Sequence, residues 1–411
     1  MIAVVFTLGC KVNSCESASL RNGLQKLGYE VYEDLRYADL YVINTCAVTS
    51  EAEKKSRQAV ARVLKLNKVA KVIITGCASE KDALSFKNKK GVSVVTGTKN
   101  KDKILSLLSE DGVFIEKHDL SFDELLPPKT AKTRAYVKVQ DGCNNFCSYC
   151  IIPYLRGRSR SRNPKSVVDE INSLQVNEVV LTAINLSSYD YNGVKLSGLI
   201  DMLSSVPKRI RLGSLEDNIV SDDFMLSLKK LKNFAPHFHL SLQSGSDAVL
   251  KKMNRHYTTS QFLNSVNLIR KYFPLASITT DVIVGFPTET EQDFIDTLTL
   301  CKNAKFADIH CFNYSKRDGT VASKMQDLPS VVKKERLNKL IALKQELKSQ
   351  FIIENLNTIK QVVVEEFDNG YSVGYTENYI KTYIKGDYTD KIINVTLKSE
   401  YLDGVLAEIK E

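Results

Sequence analysis

The stretch Cys143-Asn144-Asn145-Phe146-Cys147-Ser148-Tyr149-Cys150 places three cysteines on one loop, directly after the predicted strand Tyr136–Val139. Three residues and then two separate them. Thiolates spaced in this way can bind three irons of a 4Fe–4S cluster and leave the fourth iron open to a ligand. Zinc sites usually combine two separated cysteine pairs, and no fourth cysteine or histidine lies nearby in the sequence. The spacing therefore favours an iron–sulfur cluster over zinc.

The cysteine loop opens a region in which short strands and helices alternate. Six such repeats between Ala135 and about Lys316 predict a partial parallel (β/α)6 barrel, with its chemistry at the loops after the strands. The predicted strands are Tyr136–Val139, Glu178–Thr182, Arg209–Gly213, His239–Leu242, Thr280–Val284 and Asp308–Phe312. The predicted helices between them are Pro164–Leu174, Ser197–Ser205, Ser221–Leu231, Ser260–Tyr272 and Thr290–Lys302.

A similar alternation over residues 1–120 predicts an α/β domain with a doubly wound parallel sheet. Its predicted strands are Ile2–Phe6, Leu40–Asn44 and Lys71–Thr75, and its helices are Glu16–Leu27, Glu51–Leu66 and Lys101–Leu108. A cysteine follows each strand, namely Cys10, Cys46 and Cys77. Because the carboxyl ends of parallel strands share one edge of a sheet, we expect these cysteines to converge. The alternative is that each is a small buried core residue.

The C-terminal part of the chain changes character. Residues 120–132, with a Pro-Pro pair and mixed charge, predict a linker. Val331–Phe351 predicts an amphipathic helix. Beyond it, five short segments with Gly and Asp turns predict a small five-stranded β-barrel of a kind that often binds RNA. These segments are Ile359–Glu365, Tyr371–Tyr375, Ile380–Ile384, Ile392–Leu397 and Val405–Ile409.

Composition limits the class of protein. The chain has 57 Lys and Arg against 48 Asp and Glu, and this net charge of +9 favours a polyanionic partner such as nucleic acid. A 43% hydrophobic content excludes wholesale disorder. No apolar run approaches the ~18 residues of a membrane helix, so we expect no membrane partner. Nine cysteines, three of them close neighbours, favour metal chemistry in a reducing compartment, and we expect a cytoplasmic protein. The oligomeric state stays unknown.

The cysteine loop, with the aromatic Tyr149 before its last cysteine, resembles the radical S-adenosylmethionine (SAM) superfamily. The resemblance narrows to the methylthiotransferases, because further segments match that family in order along almost the whole chain. These segments are Thr7-Leu8-Gly9-Cys10-Lys11-Val12-Asn13, Asn44-Thr45-Cys46, Thr75-Gly76-Cys77, Cys150-Ile151-Ile152-Pro153, Arg156-Gly157-Arg158-Ser159-Arg160-Ser161-Arg162 and Gly374-Tyr375-Thr376-Glu377-Asn378-Tyr379. The resemblance implies an N-terminal methylthiotransferase domain at 1–120, a radical SAM core at 132–350 and a TRAM RNA-binding barrel at 352–411.

The resemblance also implies two 4Fe–4S clusters and two SAM molecules. The ligands of the SAM-binding cluster, which are the implied catalytic residues, are Cys143, Cys147 and Cys150. The implied ligands of the second, sulfur-carrying cluster are Cys10, Cys46 and Cys77. The implied reaction inserts a methylthio group at C2 of the modified adenosine at position 37, in the anticodon stem-loop of tRNA. The radical from SAM removes the C2 hydrogen, and electrons come from a donor such as flavodoxin or ferredoxin.

Within the family, Cys10-Lys11-Val12-Asn13 and the arginine run resemble the branch that acts on N6-threonylcarbamoyladenosine (t6A). The isopentenyladenosine branch tends to carry Cys-Gln-Met-Asn. A third branch, which modifies a ribosomal-protein aspartate, tends to have a more acidic tail barrel. From another class, a non-catalytic RNA-binding protein stabilised by structural metal remains an alternative.

Further site residues are carried over from the resemblance. The cofactor-binding set is Tyr149, Asn185, Glu216, Gln243, Arg255 and Gly285. The RNA-binding set is Arg156, Arg158, Arg160, Arg162, Lys381 and Lys385, although a solvated charge run is the alternative for the arginines. Three places depart from the family pattern: Ala183 stands for glycine, Asp217 for proline, and Ser14-Cys15 for the Gln-Tyr that usually follows Asn13 in this branch. Cys15 is interpreted as a bystander, Cys301 and Cys311 as core residues, and the five histidines receive no role.

Overall fold

The structure is a computed structural model, and it describes residues 1–99, 101–127 and 133–410. The N-terminal region forms one parallel sheet with strand order β2-β1-β3-β4-β5-β6. Its strands are β1 (Ile2–Thr7), β2 (Glu30–Tyr32), β3 (Leu40–Thr45), β4 (Lys71–Gly76), β5 (Val92–Thr96) and β6 (Gly112–Phe114). Its helices are α1 (Lys11–Lys26), α2 (Ser50–Leu66), α3 (Cys77–Lys81) and α4 (Ala83–Lys87), followed by a 3-10 helix at Lys101–Leu107.

Both faces of this sheet are covered, as the continuous apolar strands require. Val42 and Ile73 belong to one hydrophobic cluster and the alternating Ile43 and Ile74 to the other. The chain reverses its direction of winding between β1 and β3, so a crevice opens there at the carboxyl edge. The doubly wound sheet expected from the sequence is confirmed.

The central region forms a partial parallel barrel. One sheet has the order β12-β9-β7-β8 and the other has the order β13-β14-β15-β16. Gly213 separates β12 from β13, so these two short strands occupy one barrel position, and six parallel positions result. The strands are β7 (Arg134–Asp141), β8 (Arg160–Ser161), β9 (Glu178–Ala183), β10 (Asp190–Tyr191), β11 (Val194–Lys195), β12 (Arg209–Leu212), β13 (Ser214–Leu215), β14 (His237–Gln243), β15 (Ser277–Val284) and β16 (Asp308–Asn313).

Helices cover the outside of this barrel and bury a large apolar core against it. They are α6 (Pro164–Ser173), α7 (Leu196–Met202), α8 (Asp222–Lys230), α10 (Thr259–Tyr272), α11 (Glu291–Ala304) and α12 (Ser330–Asn355). Two short helices pack elsewhere: α5 (Ile152–Arg156) against the apolar cluster of the first sheet, and α9 (Asp247–Lys252) in the cluster of Phe286. Short 3-10 turns occupy Leu186–Ser188, Asp217–Ile219 and Ala322–Lys324. No helix in the described ranges is long and apolar enough to cross a bilayer.

A closed five-stranded barrel ends the chain. Its strands follow the order β17-β18-β19-β21-β20. They are β17 (Ile359–Asp368), β18 (Tyr371–Thr376), β19 (Lys381–Lys385), β20 (Ile392–Tyr401) and β21 (Gly404–Ile409). Arg209 and Arg211 of β12 reach this barrel, where their guanidinium groups donate to backbone carbonyls of Gln361 at 3.0 Å and Thr376 at 3.2 Å. The tail barrel is therefore attached directly to one end of the central barrel.

The structure differs from the sequence prediction mainly in short elements. Three strands of the first sheet, Glu30–Tyr32, Val92–Thr96 and Gly112–Phe114, were not predicted, nor were helices α5 and α9. Helix α1 begins at Lys11 rather than Glu16, and Cys10 precedes its first turn in an extended conformation. Part of the predicted linker, residues 128–132, lies outside the described residues.

Candidate functional site

The three-cysteine loop follows β7 and is held in place at several points. The Cys143 N–H donates to the Gly157 carbonyl at 3.1 Å, and the Ser148 N–H donates to the Met253 carbonyl at 2.9 Å. Between the last two cysteines, a tight turn lets the Cys150 N–H donate to the Cys147 carbonyl at 2.9 Å. These contacts orient the three thiols before any ligand binds.

The surroundings of these thiols suit thiolate ligands. Burial raises the pKa of Cys150 to about 12, and it also raises the pKa of Cys143. Backbone N–H groups oppose this rise at both sulfurs. Arg255 Nη1 lies 3.4 Å from the Cys147 sulfur. Three thiols with amide donors and a guanidinium fit an iron–sulfur cluster, because the cluster would neutralise thiolates that burial alone disfavours.

A carboxylate joins the cysteine loop to the neighbouring strand ends. Glu216 accepts hydrogen bonds from Asn145 at 2.5 Å, from Arg255 at 3.0 Å and from Asn185 at 3.2 Å. Three members of the predicted cofactor-binding set, Asn185, Glu216 and Arg255, are thus brought together beside Cys147. Their polar groups face the region where a small charged ligand of the loop would lie.

The other predicted cofactor-binding residues, Tyr149, Gln243 and Gly285, lie outside the hydrogen-bonded group around Glu216. Tyr149 is packed against the cluster that contains Phe286 and Tyr314, and its burial and the nearby Cys147 raise its pKa. Gln243 ends β14 with a left-handed backbone, φ 69°. Gly285 has φ +69°, but an added Cβ there would meet Lys333 at 2.3 Å. The close approach at Gly285 is therefore to α12.

A second set of three thiols gathers at the carboxyl edge of the first sheet, as predicted from strand spacing. Cys10 caps α1, Cys46 follows β3 and Cys77 begins α3. A Cβ on Gly9 would lie 2.8 Å from the Cys46 sulfur, so the backbone before Cys10 touches that thiol. Burial raises the pKa of Cys46 to about 11, and Cys77 and Cys10 both contribute to the rise. The three cysteines are therefore neighbours, and their donor set fits a second cluster.

The remaining cysteines lie elsewhere. The Cys15 thiol donates to the Tyr136 carbonyl at 3.3 Å, away from the three-thiol set, and burial raises its pKa to about 12. Cys301 is fully buried in the barrel core and Cys311 is half-buried against it. These placements agree with bystander and core roles.

Arg156 and Arg160 are buried, and this corrects the prediction that they bind RNA. Arg156 Nη1 donates to Glu16 at 2.9 Å and to Asp141 at 3.2 Å, and its Nη2 donates to Asn13 at 2.7 Å. Arg160 donates to Asp141 at 3.1 Å. Since buried carboxylates need paired cations, Arg156 instead joins α1 of the first sheet to the end of β7, and Arg160 supports Asp141 there.

Arg162 is likewise turned inward, where it pairs with Glu124 and Glu170. Arg158 alone among the four arginines is exposed, and its guanidinium lies 4.5 Å from the centre of the Phe146 ring. Only Arg158 of this run therefore has the accessibility that a phosphate contact requires. The sequence pattern could not distinguish these cases, because charge spacing does not reveal which carboxylates lie opposite.

The two tail-barrel lysines differ in their surroundings. Lys385 is exposed at the end of β19. Lys381, at the other end of the strand, is half-buried and forms an ion pair with Asp403 at 3.0 Å. Both stay candidates for RNA contact.

Two family models match this chain. Residues 3–97 match the model described as uncharacterized protein family UPF0004, and residues 137–301 match the radical SAM superfamily. The first match covers the sheet with Cys10, Cys46 and Cys77, and the second covers the loop with Cys143, Cys147 and Cys150.

Relatives of nearly full length decide the family. The threonylcarbamoyladenosine tRNA methylthiotransferase MtaB of Bacillus subtilis is 38% identical over 428 residues, which cover 98% of this chain and 95% of that protein. This chain belongs to the radical SAM methylthiotransferase family. The tRNA-2-methylthio-N(6)-dimethylallyladenosine synthase of Lachnoclostridium phytofermentans is 35% identical, with 98% of this chain and 95% of that protein covered. Relatives named for two different nucleosides thus resemble this methylthiotransferase almost equally.

A solved structure supports the fold of this methylthiotransferase. The radical SAM methyltransferase TsrM from Kitasatospora setae superposes with a TM-score of 0.59 at 15% identity, covering 78% of this chain and 77% of that one. The fold class predicted from the sequence is confirmed. The family implies that this enzyme uses a 4Fe–4S cluster and SAM, and the loop at 143–150 fits that cluster.

A cavity of about 770 Å³ lies where the three parts of this methylthiotransferase meet. Cys10 and Lys11 contribute its wall from the first sheet, Thr182 and Ser214 from barrel strands, and Tyr379 from the tail barrel. Burial lowers the pKa of Lys11, and the nearby Arg134 adds to this effect. One thiol of the second cysteine set therefore borders the interior of the barrel.

Two histidines and an aspartate on adjacent strands line this cavity, although no histidine cluster was predicted. Asp281 contacts His310 Nδ1 at 3.0 Å and His239 Nε2 at 3.3 Å. Burial favours the neutral acid, but these imidazoles outweigh it and hold the pKa of Asp281 far below its usual range. Ligand atoms of the three residues lie within 4.8 Å of one another and could hold a metal ion. Alternating polar residues within β14, β15 and β16 were the available sequence signal.

A third histidine extends this polar wall toward the tail barrel. The ring of His237 stacks on Tyr379 with centroids 4.6 Å apart, and its Nε2 lies 3.0 Å from Thr279 Oγ1. Burial, together with positive neighbours that include Arg211 and Lys11, holds the pKa of His237 well below its ordinary value. Its Nδ1 is buried and has no hydrogen-bond partner within the described residues.

Proposed function

We propose that this enzyme inserts a methylthio group at C2 of t6A at position 37 of tRNA. The observation that carries the proposal is the presence of two separate three-cysteine sets, with Cys10 of one set on the wall of the barrel cavity. A relative of 38% identity named for threonylcarbamoyladenosine supports the choice of nucleoside, as does the sequence Cys10-Lys11-Val12-Asn13.

We infer that the two cysteine sets bind one 4Fe–4S cluster each, and that one turnover uses two SAM molecules. When bound, the clusters and SAM supply the radical and sulfur chemistry that ordinary acid–base side chains cannot provide at an aromatic C–H bond. The protein places both thiol sets just after strands of its two sheets. This placement positions the two sites relative to each other, as a reaction between bound groups requires.

The residues around Cys147 are suited to holding the amino acid part of SAM. Glu216 and Asn185 present oxygen and amide groups at the barrel strand ends, and Arg255 balances the charge of Glu216. Tyr149, with Phe286 behind it, shields the loop from water on the barrel side. Electrons would come from a protein donor of the flavodoxin or ferredoxin kind, and the RNA contacts would include Arg158, Lys381 and Lys385.

Nucleoside mass spectrometry of tRNA tests the proposal. In cells that lack the gene, we expect loss of the methylthio form of t6A and its return with the wild-type gene. Cys147→Ala should fail to restore it, whereas Cys311→Ala, a cysteine outside both sets, should restore it. Loss confined to methylthio-isopentenyladenosine would show that the chain acts on the other nucleoside.

Two further outcomes would lead away from tRNA. If no tRNA nucleoside changes, the methylthiolation of a ribosomal-protein aspartate becomes the reaction to test. If the purified protein holds zinc in closed sites and no iron, the chain is a metal-stabilised RNA-binding protein instead. Metal analysis of the same preparation separates that case from the enzyme.

A further inference from the structure

Lys11 is a charged residue of the central cavity that forms no ion pair within the described part of the chain. It is the first residue of α1, directly after Cys10, and its side chain is exposed to the cavity. Among the residues that the structure describes, Lys11 makes neither a hydrogen bond nor an ion pair. An ammonium held in a confined space without a partner is costly, so the position favours an anionic ligand.

The acidic groups around the cavity already contact other basic side chains. The pairs are Glu178 with Arg211 at 2.9 Å, Asp281 with His239 and His310, Asp308 with Lys344 at 3.1 Å, and Asp403 with Lys381 at 3.0 Å. Lys11 therefore has no protein carboxylate available. An anion that pairs with the Lys11 ammonium would therefore belong to the bound ligand.

A second unsatisfied group lies close to Lys11. His237 presents a buried Nδ1 without a partner on the same cavity wall, and Lys11 is near enough to lower its pKa. The stacked Tyr379 and the contact to Thr279 fix the ring, so Nδ1 cannot turn to find another group. Lys11 and His237 thus line the same cavity, one as a cation and the other as a neutral imidazole with an unpaired nitrogen.

We propose that Lys11 and His237 form a subsite for the threonylcarbamoyl group of the substrate nucleoside, with the Lys11 ammonium bound to its carboxylate. His237 Nδ1 meets the neutral hydroxyl or carbamoyl part of the same group. The inference rests on the proposed function and adds how the nucleoside is selected. An isopentenyl group is apolar and has neither a negative charge nor a hydrogen-bond acceptor for an ammonium. Lys11 would therefore disfavour it.

Binding of synthetic RNA tests the subsite without any turnover. The probes are anticodon stem-loops that carry either t6A or its methyl ester at position 37, and the protein is reconstituted with iron and kept without reductant. Wild type should bind the acid roughly 10-fold or more tighter than the ester, as expected for one hydrogen bond between charged groups. Lys11→Gln should bind both RNAs equally, at the affinity of wild type for the ester.

Matched variants distinguish loss of the Lys11 charge from loss of folding or of bound iron. Lys26→Gln removes an exposed lysine from the last turn of the same helix and should keep the preference for the acid. Lys11→Arg should retain part of that preference. His237→Phe keeps the stack on Tyr379, and it should lower the affinity for both RNAs by a similar factor. Iron content and circular dichroism of each variant check that Cys10 and the fold are intact.

The results distinguish this inference from the proposed function. Equal binding of acid and ester by wild type overturns the subsite without needing any variant. Retained preference in Lys11→Gln also overturns it, even if the enzyme still methylthiolates t6A. If wild type neither prefers t6A over unmodified adenosine nor changes any tRNA nucleoside in cells, the proposed function itself fails.

Discussion

At the scale of single residues, burial decides what an arginine does. Arg156 and Arg158 are two positions apart in one basic run, yet one is fully buried and the other is exposed. Burial favours the neutral acid at Glu16, but Arg156 and two lysines outweigh this and hold the pKa of Glu16 well below its ordinary value. Arg156 is thus a positioning residue between α1 and β7.

Replacing Arg156 should destabilise the protein far more than replacing Arg158. Arg156→Met leaves Glu16 and Asp141 with fewer cations, and breaking a buried pair in this way costs about 3–5 kcal/mol. Arg158→Met should change the free energy of unfolding by less than about 0.5 kcal/mol. Urea denaturation of the two variants beside wild type makes the comparison. Equal stabilities would show that the buried ion pairs are not needed.

For RNA binding the larger effect should come from replacing Arg158, whereas for stability it comes from replacing Arg156. Arg158→Met should weaken anticodon stem-loop binding and reduce the slope of log affinity against log salt by about one, as for loss of one phosphate contact. Arg156→Met, where it folds, should leave that slope unchanged. Fluorescence anisotropy at several salt concentrations measures it. An unchanged slope for Arg158→Met would remove this residue from the RNA-binding surface.

At the scale of elements, the turn between β4 and α3 positions Cys77. Gly76 has φ +102°, and an added Cβ would lie 2.4 Å from the Thr45 carbonyl oxygen. That neighbour is backbone and cannot move aside. Gly76→Ala should therefore displace Cys77 and lower bound iron by about half, one cluster of two. Iron analysis after reconstitution measures the loss.

Gly28 provides the matched control for Gly76. It has φ +85°, but nothing lies within 4 Å of an added Cβ. Gly28→Ala should thus cost only the backbone strain of about 1–2 kcal/mol and leave the iron content unchanged. If both variants lose iron equally, general instability rather than the contact at Thr45 is responsible.

Strand β9 carries a carboxylate, Glu178, whose contribution to the stability of the protein depends on pH. Burial favours the neutral acid at Glu178, but Arg211, Arg134 and Arg209 outweigh it and hold its pKa at about 2. A depressed pKa means that stability is present above the ordinary value of 4.5 and is lost as the pH falls toward 2. The stability advantage of wild type over Glu178→Gln should thus shrink by about 3 kcal/mol between pH 5 and pH 2.

Urea denaturation of metal-free protein at stepped pH values tests this dependence. Glu110→Gln, an exposed carboxylate, should follow wild type throughout. A constant difference between wild type and Glu178→Gln over the whole range would show that the arginines do not depress this pKa. Since Arg211 also contacts the tail barrel, the acid transition should loosen that barrel first.

The sequence predicted strongly periodic elements well and short ones poorly. The strands before the two three-cysteine sets and the long helix α12 are marked by apolar periodicity or spacing. Strands such as Glu30–Tyr32 and Gly112–Phe114 have three residues and carry no such signal. The missed residues His239, Asp281 and His310 are marked in the sequence only by polar alternation within their strands. Their meeting depends on strand register, which that alternation does not reveal.

At the scale of the whole molecule, three parts enclose one cavity. The first sheet brings Cys10 and Lys11, the barrel brings its polar interior, and the tail barrel closes the side at Tyr379. Arg156 joins the first two parts, and Arg211 joins the last two. No part contains a complete site alone. All three parts of the chain are therefore needed to line this cavity.

The iron content of variants tests whether both cysteine sets of the molecule bind clusters. Wild type should hold about eight irons, and removal of either set should leave about four. The two triple variants replace Cys10, Cys46 and Cys77, or Cys143, Cys147 and Cys150, with alanine. Because the two sets lie on separate sheets, each variant should keep the visible absorption of the remaining cluster. A first-set variant that still holds eight irons would contradict the second cluster, and with it the proposed source of sulfur.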